Sequence, residues 1–437
     1  MTDEPREREN DALKQTALPP APGAPATGRL VRRPSVRAAF SSFGHRNYRL
    51  WFMGQSASLV GTWMQTTAQG FLIFQLTHSP AYLGYIGFAA GAPLWLFTLY
   101  GGVISDRIPR RTLLLVTQTA MMLLAFAQAG LTFLRLVLPW HLIALAFATG
   151  VANAFDAPAR MAFVAELVER DDLANAIALN STMVNLATAI GPAVAGVIYA
   201  LLGPGWCFTV NGLSFIAVIA ALLAMRMKAQ SPRTGAGDAL AELRAGLRHV
   251  VANRTVGVLI ATVAVVTVFA SSFATLLPAW AVSILGGDST TNGFLQSARG
   301  VGSLIGAIFI ASLGRTRLKG KLLTLGSFLF PGLLLLWAFV RWLPLSLLVL
   351  VAAGWGMMMV LNMCNVLVQS HVPDALRGRV MSIYSLGFFG MMPVGALLFG
   401  AVAQWLGEPA TVAGGALVSL AFAVWLWFSV PQVRAME

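Results

Sequence analysis

Gly102, Asp106, Arg107, Arg110 and Arg111 form a knot of charge between two long apolar stretches. A carboxylate among guanidinium groups at such a place can grip a helix end or a neighbouring charge, and release it. Asp156 and Arg160 stand one helical turn apart further on, with Pro158 between them. Arg299 lies alone about seven residues inside an apolar run, roughly 10 Å down a helix at 1.5 Å per residue. This is chemistry of ion pairing and charge recognition, and groups for bond-making are missing. The histidines (His45, His78, His141, His249, His371) fall at the ends of apolar runs or between them, and no two are spaced as metal ligands. No nucleophile elbow is present, and the GVGSLIG run from Gly300 sits inside an apolar segment instead of following a strand. A phosphate loop is also absent, because Leu322 follows Gly320-Lys321 where Ser or Thr is required. The expectation is a protein that is not an enzyme and needs neither cofactor nor metal.

These charges must be positioned by apolar elements. Hydrophobic residues make up 57% of the 437-residue chain and charged residues 11%, against about 25% charged in soluble domains. Repeated apolar runs of about 20 residues match the hydrocarbon thickness of a bilayer. The alternating pattern of a membrane barrel is missing, so the fold class is an all-α polytopic membrane protein. Twelve spans are expected, at 48–74, 82–104, 112–134, 141–155, 176–202, 207–225, 256–280, 293–313, 322–340, 345–368, 380–404 and 411–430. With both termini cytoplasmic, all of the 30 Lys and Arg except Arg135, Arg341 and Arg299 fall on the cytoplasmic side, as the positive-inside rule requires. The net charge of +13 is then an inner-leaflet belt, and nucleic-acid binding is excluded. Residues 1–42 read as a disordered cytoplasmic tail, rich in Pro and Ala, whose Arg32, Arg33 and Arg37 rest against anionic headgroups. Cys207 and Cys364 read as small buried residues.

The first span carries Gln55, Ser58, Thr62, Gln65 or Thr66, and Gln69 at helical spacing, a polar stripe that must face protein or a water-filled cavity. Comparable groups recur in the seventh span (Ser271, Ser272, Thr275) and the tenth (Asn362, Asn365). The chain also repeats itself: Ser181, Gly191, Gly196 and Gly203 meet Ser385, Gly395, Gly400 and Gly407 at one constant offset. Two six-helix halves, 43–226 and 255–431, are therefore expected about a pseudo-two-fold axis. A cytoplasmic linker at 227–254, amphipathic near 240–250, joins them, and 432–437 forms a short cytoplasmic tail.

The knot resembles the major facilitator superfamily signature G-x-x-x-D-R-x-G-R-R, with Pro109 where the pattern has glycine. A degraded copy, GRTRLKGK from Gly314, stands in the second half. The stretch 153–181, with its core of Asp156, Pro158 and Arg160, is similar to the drug and siderophore exporter branch that includes the enterobactin exporter and macrolide efflux proteins. Gly191, Pro192 and Gly196 resemble the helix-5 motif of drug–proton antiporters, with Ala195 in place of a glycine.

The resemblance implies a major facilitator fold and a cytoplasmic gate built from Gly102, Asp106, Arg107, Arg110, Arg111, Asp156 and Arg160. In that gate Asp106 faces the N-terminus of helix 11, expected near 378–382, where a carboxylate gains up to about 2 kcal/mol. Arg110 is expected to pair with Asp156 at the cytoplasmic end of helix 4. Helices 1, 4, 7 and 10 would line the substrate path, with Gln55, Ser58, Thr62, Gln65, Gln69, Ser271, Thr275, Arg299, Asn362 and Asn365 as candidate contacts. The function implied is export of an amphipathic small molecule across a bacterial inner membrane by alternating access. Proton antiport is implied as well, although no Asp or Glu is expected away from helix ends and loops. Expected partners are the small-molecule cargo, protons and the lipid bilayer, and the chain is expected to act as a monomer. The alternatives are an importer or lipid transporter of the same fold, or a non-transporting membrane scaffold.

Overall fold

The computed structural model describes residues 40–226, 239–313 and 318–436, with the backbone alone for 98–107 and 239–243. The tail with Arg32, Arg33 and Arg37, most of the linker, and positions 314–317 of the second-half copy lie outside the described residues.

Local signals account for many of the helix boundaries. Prolines stand in the first turn of α4 (Pro139–Val164), α6 (Pro204–Ala224), α10 (Leu343–His371) and α12 (Glu408–Ser429), where the missing N–H has no intrahelical partner to lose. Asp288 caps α8 (Ser289–Ser312) by accepting from the Thr290 and Thr291 backbone N–H groups at 3.0 and 3.1 Å. Asn253 caps α7 (Arg254–Ile284) by accepting from Val256 N–H at 3.2 Å. Gly203 ends α5 (Leu173–Leu202) and Gly407 ends α11 (Asp374–Leu406), at φ 89° and 79° respectively. These two repeat-related glycines thus share a backbone conformation that disfavours side chains. The remaining long helices are α1 (Arg46–Thr77), α2 (Pro80–Arg107), α3 (Arg110–Phe133) and α9 (Lys319–Trp337).

Among the described residues, ten helices, α3 to α12, are long and apolar enough to cross a membrane. Helix α1 has the length, 32 residues, but its polar stripe dilutes its apolar character. Pairing within the bundle repeats along the chain. Helices α2 and α4 pack together as α8 and α10 do, and α3 packs on α4 as α9 does on α10. Helix α3 also meets α6 as α9 meets α12. Between the first six and the last six helices, α5 lies along α8 and α2 along α11. The amphipathic stretch of the linker forms a helix, Ala239–Ala252, which packs on the first turns of α11; a Cβ on its Gly246 would come within 3.0 Å of the Arg379 carbonyl oxygen.

Three expectations are corrected. Helix α4 does not stop at residue 155 but continues through Pro158 to Val164. A proline removes one backbone hydrogen bond and kinks a membrane helix without ending it when neighbouring helices support it. Asp156 is therefore an interior residue of α4, fully buried at 0% exposure, and the rule that every acid lies at a helix end fails there. Helix α11 begins at Asp374, earlier than 378–382, and carries that acid in its own first turn, paired with Arg377. Helix α7 is not uniform: π turns at Val266–Ala270 and Trp280–Ile284 flank a 3-10 segment at Ser271–Leu276. Helix α11 has a π turn of its own at Leu386–Gly390.

Candidate functional site

The broken part of α7, α8, α10 and the π turn of α11 face α1, α2 and α4 across a cavity of about 440 Å³. Its first wall includes Trp63, Thr66 and Gln69 of α1, Leu83, Ile86 and Ala90 of α2, and Asn153 of α4. The opposite wall includes Thr267, Ser271, Ser272, Thr275, Gln296, Arg299, Met357, Phe388 and Phe389. The surface is mainly apolar, and polar groups are concentrated on α1, α7 and α8.

The predicted stripe on α1 divides. Gln69 lines the cavity and donates to the Leu142 carbonyl of α4 at 3.0 Å. Gln65, four residues earlier, is buried among helices and bonds Gln128 of α3 at 3.1 Å and Asn211 of α6 at 2.5 Å. Gln55 and Ser58 are buried too, away from the cavity lining, while Thr62 is exposed and donates to the Ser58 carbonyl at 2.9 Å. Glycines make this packing possible: a Cβ at Gly54 or Gly61 would meet α6 at 3.1 or 2.5 Å. The stripe is thus mostly an interhelical seam, because the helix turns its other polar residues toward α3 and α6. Asn362 and Asn365 also lie outside the lining, bonded locally to the Met358 carbonyl at 3.2 Å and to Gln369 at 2.6 Å. Ser271, Thr275 and Arg299 do line it.

Arg299 has no hydrogen-bond or ion-pair partner for its guanidinium among the described residues, and its Nε is buried. The hydroxyls of Thr267 and Ser271 are likewise buried and unpartnered. Ser272 instead reaches five residues back, to the Thr267 carbonyl at 2.9 Å. Sequence reasoning missed Thr267, Gln296 and the two phenylalanines; the only signals for the irregular segments are Ser271-Ser272, Pro278 and Gly387.

The expected gate is arranged differently from its sequence reading. Gly102, Asp106 and Arg107 lie outside the residues whose side chains are described. Arg110 pairs with Glu166, beyond the end of α4, and not with Asp156. Asp156 accepts from Thr117 and Gln118 of α3, both at 2.8 Å, and Arg160 Nε lies 3.7 Å from its second oxygen. Because α4 runs on past Pro158, Asp156 sits two turns inside the bundle, and an acid at the helix end takes its place beside Arg110. Arg111 donates to the Leu223 carbonyl at the end of α6, at 3.1 Å. A further pair went unread in the sequence: His45 Nε2 lies 2.8 Å from Asp172, and Ser42 N–H donates to Asn175 at 3.1 Å. Together these pin the start of α1 to the loop before α5 and to the first turn of α5.

Hydrogen bonds cross between the first and last six helices in the half of the bundle far from where α1 begins. Ser79 Oγ donates to Gln404 at 2.5 Å, Ser289 Oγ to the Gly196 carbonyl at 3.2 Å, and Thr67 Oγ1 to Gln296 at 3.4 Å. Glycines bring the backbones together there. A Cβ on Gly293 would lie 2.4 Å from the Pro192 carbonyl oxygen, and one on Gly400 2.6 Å from the Gly84 Cα. Of the helix-5 motif, Gly196 faces α8 in this seam, while Gly191 faces Trp63 and Val60 of α1.

A helical bundle of this pairing around a central cavity is the fold of a major facilitator transporter, a multi-pass membrane protein and not an enzyme. The chain belongs to the transmembrane secretion effector family, whose model matches residues 37–437. It is 26% identical over 405 residues to the enterobactin exporter EntS of Shigella boydii, covering 89% of this chain and 93% of that one. It is 23% identical over 361 residues to the staphyloferrin A transporter of Staphylococcus aureus, covering 82% and 90%. Among solved structures it resembles a bacterial homologue of the human lysosomal transporter Spinster, inward-facing and unoccupied, with a TM-score of 0.66 at 13% identity over 92% of this chain and 97% of that one. The nucleoside transporter NupG superposes with a TM-score of 0.65 at 12% identity, covering 90% and 100%.

Proposed function

We propose that this transporter exports an amphipathic small molecule, a drug-like compound or a siderophore, across a bacterial inner membrane by alternating access coupled to proton antiport. The observation that carries the reading is the central cavity, sealed on one side by the glycine seam of α5–α8 and α2–α11 and by the hydrogen bonds that cross it. A cavity closed at one pole is half of an alternating-access cycle; separation of that seam and closure of the other pole would complete it. The siderophore part of the reading is supported by the two relatives named for such cargo.

In this reading 43–226 and 255–431 are the two moving halves, and α1 and α2 cross the membrane like the other ten helices. Their repeated pairing supports the division. Residues 1–42, 227–254 and 432–437 are cytoplasmic, supported by the confinement of Arg135 and Arg341 to the loops at the opposite pole. The sealed pole is then the outer one. Asp106 would grip α11 only when the cytoplasmic ends close, and the chain works as a monomer.

The test is accumulation of cationic dyes, macrolides and catecholate siderophores in a pump-deleted bacterium carrying wild type or Asp106→Asn. Lower accumulation of at least one compound is expected with wild type, lost in the variant and lost with an uncoupler. Equal accumulation throughout would overturn export, and higher accumulation with wild type would reverse the direction.

A further inference from the structure

We infer that Arg299, with the hydroxyls of Thr267 and Ser271, forms an anion subsite in the central cavity, and that the cargo is an amphipathic molecule bearing a carboxylate. The inference rests on the transport reading above and narrows its substrate class.

Three observations converge. First, Arg299 is a lone cation deep in the bundle. It follows ten residues of α8, lines the cavity, and has no acid within ion-pair distance among the described residues. No acidic residue occurs among the described residues lining the cavity either. A buried, uncompensated charge is costly in a membrane and is retained where it meets something. Arg110 and Arg160 behave otherwise, lying beside Glu166 and Asp156, and Arg111 and Arg341 donate to backbone carbonyls.

Second, two hydroxyls on the adjoining wall are orphaned. Hydroxyls in membrane helices ordinarily donate to the carbonyl four residues back, as Thr62, Thr66 and Thr262 do here at 2.9, 2.9 and 2.8 Å. Thr267 Oγ1 and Ser271 Oγ do not, yet both are buried and both residues line the cavity. A guanidinium can only donate, and a hydroxyl without another acceptor can donate too. The group that satisfies all three is an acceptor, and a carboxylate is one that also neutralises the charge.

Third, the rest of the lining suits the body of such a molecule. Leu83, Ile86, Met357, Phe388 and Phe389 supply an apolar and partly aromatic surface, and about 440 Å³ is the size of a small-molecule site. A cationic compound would instead meet a like charge with no acid to offset it.

The experiment is binding to the full chain in nanodiscs of phosphatidylcholine, followed by fluorescence titration. The probes are 1-pyrenebutyric acid and dansylglycine, each against its own primary amide. Wild type is expected to prefer the acids over the amides by about tenfold or more, equivalent to about 1.4 kcal/mol. Arg299→Gln should abolish the preference, and Arg299→Lys should keep part of it, which guards against a variant that merely misfolds. Equal binding of acid and amide to wild type, failure of both to bind, or a preference that survives Arg299→Gln overturns the subsite. Replacing the lipid with phosphatidylglycerol should leave the preference in place; an Arg299-dependent loss of acid binding there would assign the arginine to lipid headgroups and overturn the proposal. These results are separate from the accumulation assay. Efflux of neutral or cationic compounds alone would leave the exporter standing and remove the anion.

Discussion

Two glutamines one turn apart on α1 do different work. Gln65 is held in a buried chain of amides between Asn211 and Gln128, whereas Gln69 stands at the cavity wall. Truncating Gln65 leaves the Asn211 amide donor and the Gln128 carbonyl oxygen unpaired, each worth about 1–3 kcal/mol. Gln65→Ala should therefore lower the thermal midpoint of the detergent-solubilised protein clearly, and Gln69→Ala should change it little while altering flux. A fluorescence melting curve and a transport assay on the same two variants check this, and the reverse pattern would exchange their roles. At this scale the sequence was a partial guide. Its polar stripe on α1 was real, but periodicity alone does not say whether a polar face meets water or another amide, because Gln128 and Asn211 lie 63 and 146 residues away from Gln65. Arg299 was legible because a charge in an apolar run is conspicuous. Thr267 was not, since a lone threonine in an apolar run is unremarkable and no residue pattern announces the π turn that holds it.

At the scale of helices, two glycine seams join the first six helices to the last six. On α5–α8, Gly293 meets the Pro192 carbonyl and Gly300 the Thr188 carbonyl, with no room for a side chain. On α2–α11, Gly84 meets Gly400 and Gly91 meets Pro393. Overpacking of this kind costs about 1–3 kcal/mol, and it would be felt only in the conformer where the seam is closed. Gly293→Val should thus drive the population roughly tenfold toward the conformer open at that pole. Electron spin resonance distances between labels on the α1–α2 and α7–α8 connections should lengthen, and unchanged distances would refute the seam's role. The helices themselves were largely legible from apolar length, as were the glycine repeats. What escaped were places where backbone rules are bent: α4 running through Pro158, and α7 and α11 leaving regular geometry where they wall the cavity. Such irregular turns are frequent at functional sites.

For the molecule as a whole, the sealed pole offers a direct lock. Ser79 and Gln404 belong to opposite sets of six helices and touch at 2.5 Å. Both resident cysteines are free and buried, so an engineered pair should react alone. Ser79→Cys combined with Gln404→Cys should form a disulfide under mild oxidation and stop transport, with activity restored by reductant. Transport that continues with the bond formed would show that this pole does not open in the cycle.

The amide seam of α1 also bears on how the chain is made. A helix this polar is a poor guest for lipid by itself, and its partners on α3 and α6 emerge from the ribosome only after α1 does. Helix α1 is therefore satisfied only after α6 has been made. It has to be sheltered by the insertion machinery, or wait at the membrane surface, until Asn211 arrives. Changes at Asn211 should therefore be felt as degradation of the nascent chain before they are felt as lost transport.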